Sequence, residues 1–356
     1  MNLWSSSSRV KLLLGERPET HPRPVEDRGF FFFLFSFLSK NLDFANTKPK
    51  THLFQMWYNR NNHFQQENIT MDERLENATT LKKQIDVLRP LDPEQLRALW
   101  PMLQNDSIFY TYTTNAIEGN TLTLGETTVV LVDGITIGGK TIGEHLDAVN
   151  GQRAYLHMLD LAQKHAPLNE EAIKDLHAYV VGNNPLLVGG LYRNDQRFIY
   201  GSRHVPPAEH KVRYMMKDIM AEYVRDSENL HPVAAAAKLH YNLVAIHPFP
   251  DFNGRTARLA MNLSLVQNGY PTILIQPGAE KATYLTALES SHMHPQQYWQ
   301  NRNGNPKPFV TYIGEIVQKR LVQVLGILQE ISPPKLTHPQ EKRNITNEKR
   351  GLDEGR

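Results

Sequence analysis

The stretch His247–Arg258, HPFPDFNGRTAR, puts an imidazole, a carboxylate, an amide and two guanidinium groups into twelve residues between two apolar segments. Pro248 and Pro250 stop a helix arriving through PVAAAAKLHYNLVAI, and Asn253 is a residue type that caps the next, TARLAMNLSLVQNG. The expected arrangement is a helix-loop-helix junction. At such a helix N-terminus, unpaired N–H groups and the helix dipole attract anions, and Arg255 and Arg258, three apart on the first turn, reinforce them. Asp251 repels a bare phosphate but suits a divalent cation that bridges phosphate oxygens. His247 adds a base that can be neutral at physiological pH. Each residue alone has an ordinary structural explanation; their joint spacing points to phosphoryl chemistry on a hydroxyl.

Composition narrows the field. With 356 residues and 40% apolar content the chain can bury a full core, and a net charge of +2 is too balanced to make nucleic acid the main partner. There is no cysteine, so disulfides, thiolate metal sites and cysteine nucleophiles are excluded. Residues 1–70 carry a serine run, scattered prolines and the nine-residue tract Phe30–Leu38, FFFFLFSFL, which is shorter than the ~20 residues a spanning helix needs. A poorly ordered leader and a cytoplasmic location are expected, with a membrane or secretory route left open by that tract. The tail 333–356 is charged, nearly free of large apolar residues, and expected to be disordered.

Between these ends the periodicity is helical. LDPEQLRALWPMLQ opens on Asp92 and Pro93 and spaces Leu96, Leu99 and Leu103 along one face. TIGEHLDAVNGQRAYLHMLDLAQ opens on a Thr141/Glu144 capping box and presents Leu146, Val149, Leu156 and Leu159. PFVTYIGEIVQKRLVQVLGILQEI predicts a long final helix. The one strand-like segment is LYRNDQRFIYGSRHVPP, Leu191–Pro207, read as a short hairpin. The fold class is mainly α.

Two other motifs compete. Gly134–Thr141, GITIGGKT, matches the P-loop pattern and follows the β-branched run TTVVLVD, which makes a P-loop NTPase a remote alternative. That reading needs a parallel sheet for which few strands are found, and otherwise leaves Lys140 as a solvated loop residue. HMH, His292–His294, has no supporting ligand at helical spacing and reads as surface histidines.

HPFPDFNGRTAR resembles the signature of Fic domains, HPFx(D/E)GN(G/K)RxxR, and the resemblance runs from about Leu88 to Leu328. It implies a Fic-type helical bundle with a short β-hairpin flap, with N-terminal helices over 71–125 and the Fic core and C-terminal helices over 126–332. The implied activity is transfer of AMP from ATP, with Mg2+ or Mn2+, to a Ser, Thr or Tyr hydroxyl of a protein, with room for self-modification and a homodimer and no role for nucleic acid. His247 would be the general base and Asp251 the metal ligand. Asn253 and Gly254 would steady the α-phosphate, and Arg255 and Arg258 would hold the β- and γ-phosphates. Phe198, Ile199 and Tyr200 would lie on the flap that docks the target segment. Tyr284 either lines the adenine pocket or is a core tyrosine. TNAIEGN, Thr114–Asn120, resembles the inhibitory motif (S/T)xxxE(G/N), which implies that Glu118 meets Arg258 and suppresses transfer, or supports the reverse hydrolysis. The chain departs from the pattern at Phe252, where the family has glycine. Either that position has negative φ or phenylalanine narrows the nucleotide site, which leaves a catalytically weakened regulatory Fic-fold protein as the alternative. A donor other than ATP stays open, since pocket shape decides it.

Overall fold

In the computed structural model, which describes residues 70–88, 91, 93–182, 184, 186–292 and 305–331, ten α-helices follow one another. They are α1 Met71–Val87, α2 Pro93–Ile117, α3 Leu124–Thr128, α4 Ile142–Gln163, α5 Glu170–Val181, α6 Glu209–Asn229, α7 Pro232–Ile246, α8 Asn253–Gln267, α9 Ala279–Ser291 and α10 Lys307–Ile331. Threonine–glutamate capping boxes start α1, α3 and α4 (Thr70/Glu73, Thr123/Glu126, Thr141/Glu144), each satisfying two otherwise orphaned N–H groups.

The α7–α8 pair is the centre. Nearly every residue of both helices is buried, as expected for helices covered on all sides. One core lies between α7 and α1, α2, α9 and α10, with Ile85, Leu99, Tyr241, Phe309 and Leu321. The other joins α7 and α8 to α4, α5 and α6, with Tyr155, Met158, Ile173, Met216 and Phe249. The loop between α7 and α8 is thereby clamped between two packed layers.

Four expectations are corrected. Helix α4 buries Ala148, Gly151, Ala154, Tyr155 and Met158, whereas Leu156 is 41% exposed. Small residues let α2 close in: a Cβ on Gly151 would stand 3.4 Å from the Thr111 Cγ2. TTVVLVD continues α3 into a π-helical turn, Val129–Asp133, which Gly134 ends at φ +67°. No strand occurs among the described residues, so Gly134–Thr141 has no sheet to serve, and Lys140 donates to the Thr121 carbonyl at 2.6 Å instead of waiting for phosphate. Residues 191–207 form no hairpin; their backbone is held by side chains described below. His292 is buried and stacks on His204 at 4.1 Å, so it is not a surface histidine.

No helix among the described residues is long and apolar enough to cross a membrane. The leader, the Phe30–Leu38 tract, His294 and the charged tail lie outside the described residues.

Burial lowers the pKa of a whole set of histidines: His177 and His231 fall to about 4, His292 to about 3, and His204 and His240 are also lowered. Below the ordinary histidine value near 6.5 the unfolded chain takes up protons that the folded chain refuses, so stability falls as pH drops. The raised carboxyls of Asp106, Asp147 and Glu280 pull the other way but are fewer. We expect the midpoint of thermal unfolding to decrease between about pH 7.5 and about pH 5.5. A flat or rising midpoint contradicts this.

Candidate active site

His247 ends α7 in the left-handed conformation (φ +52°, ψ 59°), its N–H bonded to the Leu243 carbonyl at 3.0 Å. A buried arginine that no sequence period marked holds it there. Arg193 donates from Nε to the His247 carbonyl at 2.8 Å and from its backbone N–H to the Pro248 carbonyl at 2.9 Å. The same guanidinium reaches the Asp195, Pro207 and Ile246 carbonyls, which ties both ends of the 195–207 segment to the end of α7. Burial pushes His247 down to about 4, the Arg193 charge reinforcing it against Asp251 and Glu118. Its imidazole is therefore neutral at physiological pH.

Asn253 does not cap α8. It is the first helical residue, and its side chain turns back to close the loop: Oδ1 accepts from the Phe249 N–H and Nδ2 donates to the Phe249 carbonyl, both at 2.9 Å. The capping position falls to Phe252, which has φ +61° and no capping side chain. The position thus demands a left-handed backbone, and phenylalanine adopts it at a cost of roughly 1–2 kcal/mol. Burial in the second core and a stack on the Arg255 guanidinium at 4.0 Å offset this. Asp251 is exposed, with Oδ1 accepting from the Phe252 N–H at 2.6 Å.

A stability prediction follows from the sign of φ at Phe252. Phe252→Ala and Phe252→Gly both lose the aromatic packing, but only glycine relieves the backbone. Phe252→Gly is expected to be the more stable of the two by about 1 kcal/mol, reversing the usual order of alanine over glycine. Denaturant unfolding of both variants checks it, and alanine proving the more stable would contradict the strain.

The two arginines meet different carboxylates. Arg255 pairs with Asp147 of α4 at 2.9 Å, a residue that sequence spacing did not single out. Arg258, fully enclosed, donates from Nε to the Thr114 hydroxyl at 2.8 Å and from Nη2 to the Thr114 carbonyl at 3.1 Å and to Glu118 Oε1 at 2.7 Å. Helix α2 ends just before Glu118: Gly119 takes φ +95°, and the Asn120 N–H bonds back to the Asn115 carbonyl at 3.1 Å. That turn delivers Glu118 to the start of α8, where Oε1 lies 2.7 Å from the place a Cβ on Gly254 would occupy. Any side chain at 254 would collide with the carboxylate. Burial raises the Glu118 carboxyl, but Arg258 and then Arg255 outweigh it and hold it below the usual range. The chain thus seats an anion of its own at the N-terminus of α8.

Tyr284 is buried in the first core, its hydroxyl 3.1 Å from His240 Nε2 and 3.4 Å from Arg258 Nη1, so it backs the arginine. Phe198 and Tyr200 are exposed and Ile199 partly so. Beyond them Glu289 of α9 accepts from the Ser202 hydroxyl at 2.6 Å and the Arg203 N–H at 3.1 Å, and His204 meets the Ala245 carbonyl at 2.9 Å. Side chains, not strand pairing, consume these polar groups.

Residues 167–265 match the Fic/DOC family model. The chain is 33% identical over 240 residues to protein adenylyltransferase fic-1 of Caenorhabditis elegans, covering 66% of this chain and 44% of that protein. It is 32% identical over 319 residues to protein adenylyltransferase Fic of Drosophila grimshawi, covering 88% and 59%. The chain thus spans about half the length of the curated relatives it matches. Among solved structures it resembles a Fic domain containing signaling protein from Bacteroides thetaiotaomicron, with a TM-score of 0.64, 27% identity and coverage of 72% of this chain and 98% of that one. Fic-1 from Caenorhabditis elegans gives a TM-score of 0.63, 29% identity and 74% coverage of each chain. The helix-loop-helix built on HPFPDFNGRTAR lies within the segment that matches the Fic/DOC model, and the chain belongs to the Fic/DOC family.

Proposed function

We propose that the chain is a protein adenylyltransferase held in an inhibited state by Glu118. The observation that carries this reading is the Glu118 carboxylate, seated over Gly254 and gripping Arg258 where a phosphate would otherwise sit. Helix N-termini of this kind bind phosphate, and the relatives named above are protein adenylyltransferases.

In the proposed reaction the nucleotide lies along the start of α8. The N–H groups there, with Gly254 leaving room for close approach, bind the α-phosphate, and Asn253 keeps the loop in shape. Arg255 and Arg258 hold the β- and γ-phosphates. A neutral His247 accepts the proton of a Ser, Thr or Tyr hydroxyl as its oxygen bonds the α-phosphorus. The bond from that phosphorus to the bridging oxygen breaks, and pyrophosphate leaves. No trio of acidic or histidine side chains that could cage a metal gathers among the described residues. Asp251, a single exposed carboxylate beside the anion site, fits Mg2+ that arrives on a triphosphate, since Mg2+ keeps its waters and takes one or two carboxylates. Bound there, Mg2+ or Mn2+ neutralises charge across the phosphates. The exposed Phe198–Tyr200 segment offers a target protein a backbone to lie against, and the chain's own hydroxyls are further acceptors.

Intact-mass measurement of purified Glu118→Gly protein incubated with ATP and magnesium tests the reading. A covalent AMP adduct on a Ser, Thr or Tyr supports it. Absence of any adduct, on the chain or on added protein, favours a regulatory Fic-fold protein instead.

A further inference from the structure

We propose that His177 is a positioning residue for transfer: it fixes the Asp251 peptide and thereby the carboxylate offered to the metal, an inference that rests on the functional reading above. His177 belongs to α5 and is 1% exposed. Its Nδ1 accepts from the Gly190 N–H at 2.9 Å, so the ring proton sits on Nε2, which donates to the Asp251 carbonyl at 3.2 Å.

The ring also lies flat on Phe249, with centroids 3.8 Å apart and planes within 5°. Asn253 grips both backbone groups of Phe249. Ring, phenyl and amide therefore lock the loop from Phe249 to Asn253 at its start, its middle and its end. The middle matters most for the metal, because the peptide that His177 holds joins Asp251 to Phe252, and the Phe252 N–H in turn anchors the Asp251 carboxylate. Rotation of that peptide would carry the carboxylate with it.

The far side of the ring has its own preparation. A Cβ on Gly189 would stand 2.5 Å from Ala178 Cα, and Gly190 has φ +78° with its Cβ position 3.2 Å from the Lys174 carbonyl. Two glycines let the chain pass directly against α5 and bring the Gly190 N–H to His177. Three residues later Arg193 takes the His247 carbonyl. His177 thus spans the approach to the target-docking segment and the loop bearing Asp251, without being placed at the reacting atoms.

The test uses the full chain carrying Glu118→Gly as parent. His177→Phe keeps the stack on Phe249 and removes both hydrogen bonds; His177→Gln keeps an N–H for the Asp251 carbonyl. Calorimetry measures ATP affinity with and without Mg2+, and amide hydrogen exchange reads Gly190, Phe249 and Phe252. In His177→Phe the Mg2+-dependent gain in ATP affinity is expected to shrink about 10- to 100-fold, as when a residue that orients a metal ligand is lost. Metal-free ATP affinity stays near the parent's, the three amides exchange faster, and His177→Gln recovers most of the loss. A lower melting temperature with unchanged metal dependence and unchanged exchange at these amides would overturn the proposal, leaving the ring as packing. Failure of the functional reading looks different: the parent with His177 intact then shows no transfer, while hydrogen exchange still reports on the ring.

Discussion

Replacing His247 by alanine lowers transfer by about 10²- to 10⁴-fold and leaves ATP affinity near that of the unsubstituted protein. The expectation follows from separate placements. The imidazole closes α7, whereas the groups proposed to hold phosphate all lie on the first turns of α8. Removing the ring therefore removes the proton acceptor without disturbing the anion site. Neutrality is already secured by burial and by Arg193, so transfer should hold from neutral pH down to about pH 5 and not titrate near the ordinary histidine value. Transfer rates beside calorimetric ATP affinities check this, and near-normal transfer by His247→Ala would remove the base from the account.

The second large effect belongs to Glu118. Arg258 cannot serve the Glu118 carboxylate and a γ-phosphate fully at once, and the carboxylate also occupies the space over Gly254. ATP entering beside Glu118 is expected to bind with its α-phosphate out of line, and misplacement near 1 Å costs about a hundredfold. Glu118→Gly should therefore raise labelling of the chain or of a target by about that factor. Adding Arg258→Ala to it should bring labelling back down, because the released guanidinium is what the γ-phosphate then uses. If the protein also removes AMP by orienting water with Glu118, the same glycine variant loses that hydrolysis, and both activities belong in assays of one preparation. Unchanged labelling would make the end of α2 purely structural. A third of the Glu118 side chain remains exposed (36%), which leaves it a path out of the cradle.

What could be read from the sequence was local. The break at Pro248 and Pro250, the arginine pair on the next turn and the Thr141/Glu144 cap all depend on residues a few positions apart, where chemistry and spacing coincide. The buried face of α4 differs from its large apolar residues because close packing selects small ones: Gly151 faces Thr111 of α2, Ala148 packs with Leu122 and Val130, and Ala154 lies in the second core. The segment 191–207 reads as a hairpin because β-branched and aromatic residues precede a glycine. Strand formation, however, needs a partner for its N–H and C=O groups, and here Arg193, Gln196 and Glu289 take several of them. Asp147, Arg193 and His177 were invisible for a shared reason: each acts on the site from another helix or loop, and no sequence period encodes contacts that distant. Phe252 departs from the family's glycine in the sequence itself, whereas the left-handed conformation it adopts is visible only in the backbone.

The most direct test of the inhibited-adenylyltransferase account is one incubation of Glu118→Gly protein with magnesium and ATP labelled at either the α- or the γ-phosphate. The account predicts that α-label becomes covalently attached to protein, that γ-label does not, and that His247→Ala in the same background abolishes the attachment. Attachment of γ-label would make the reaction phosphoryl transfer, and attachment of neither label would contradict the account at its centre.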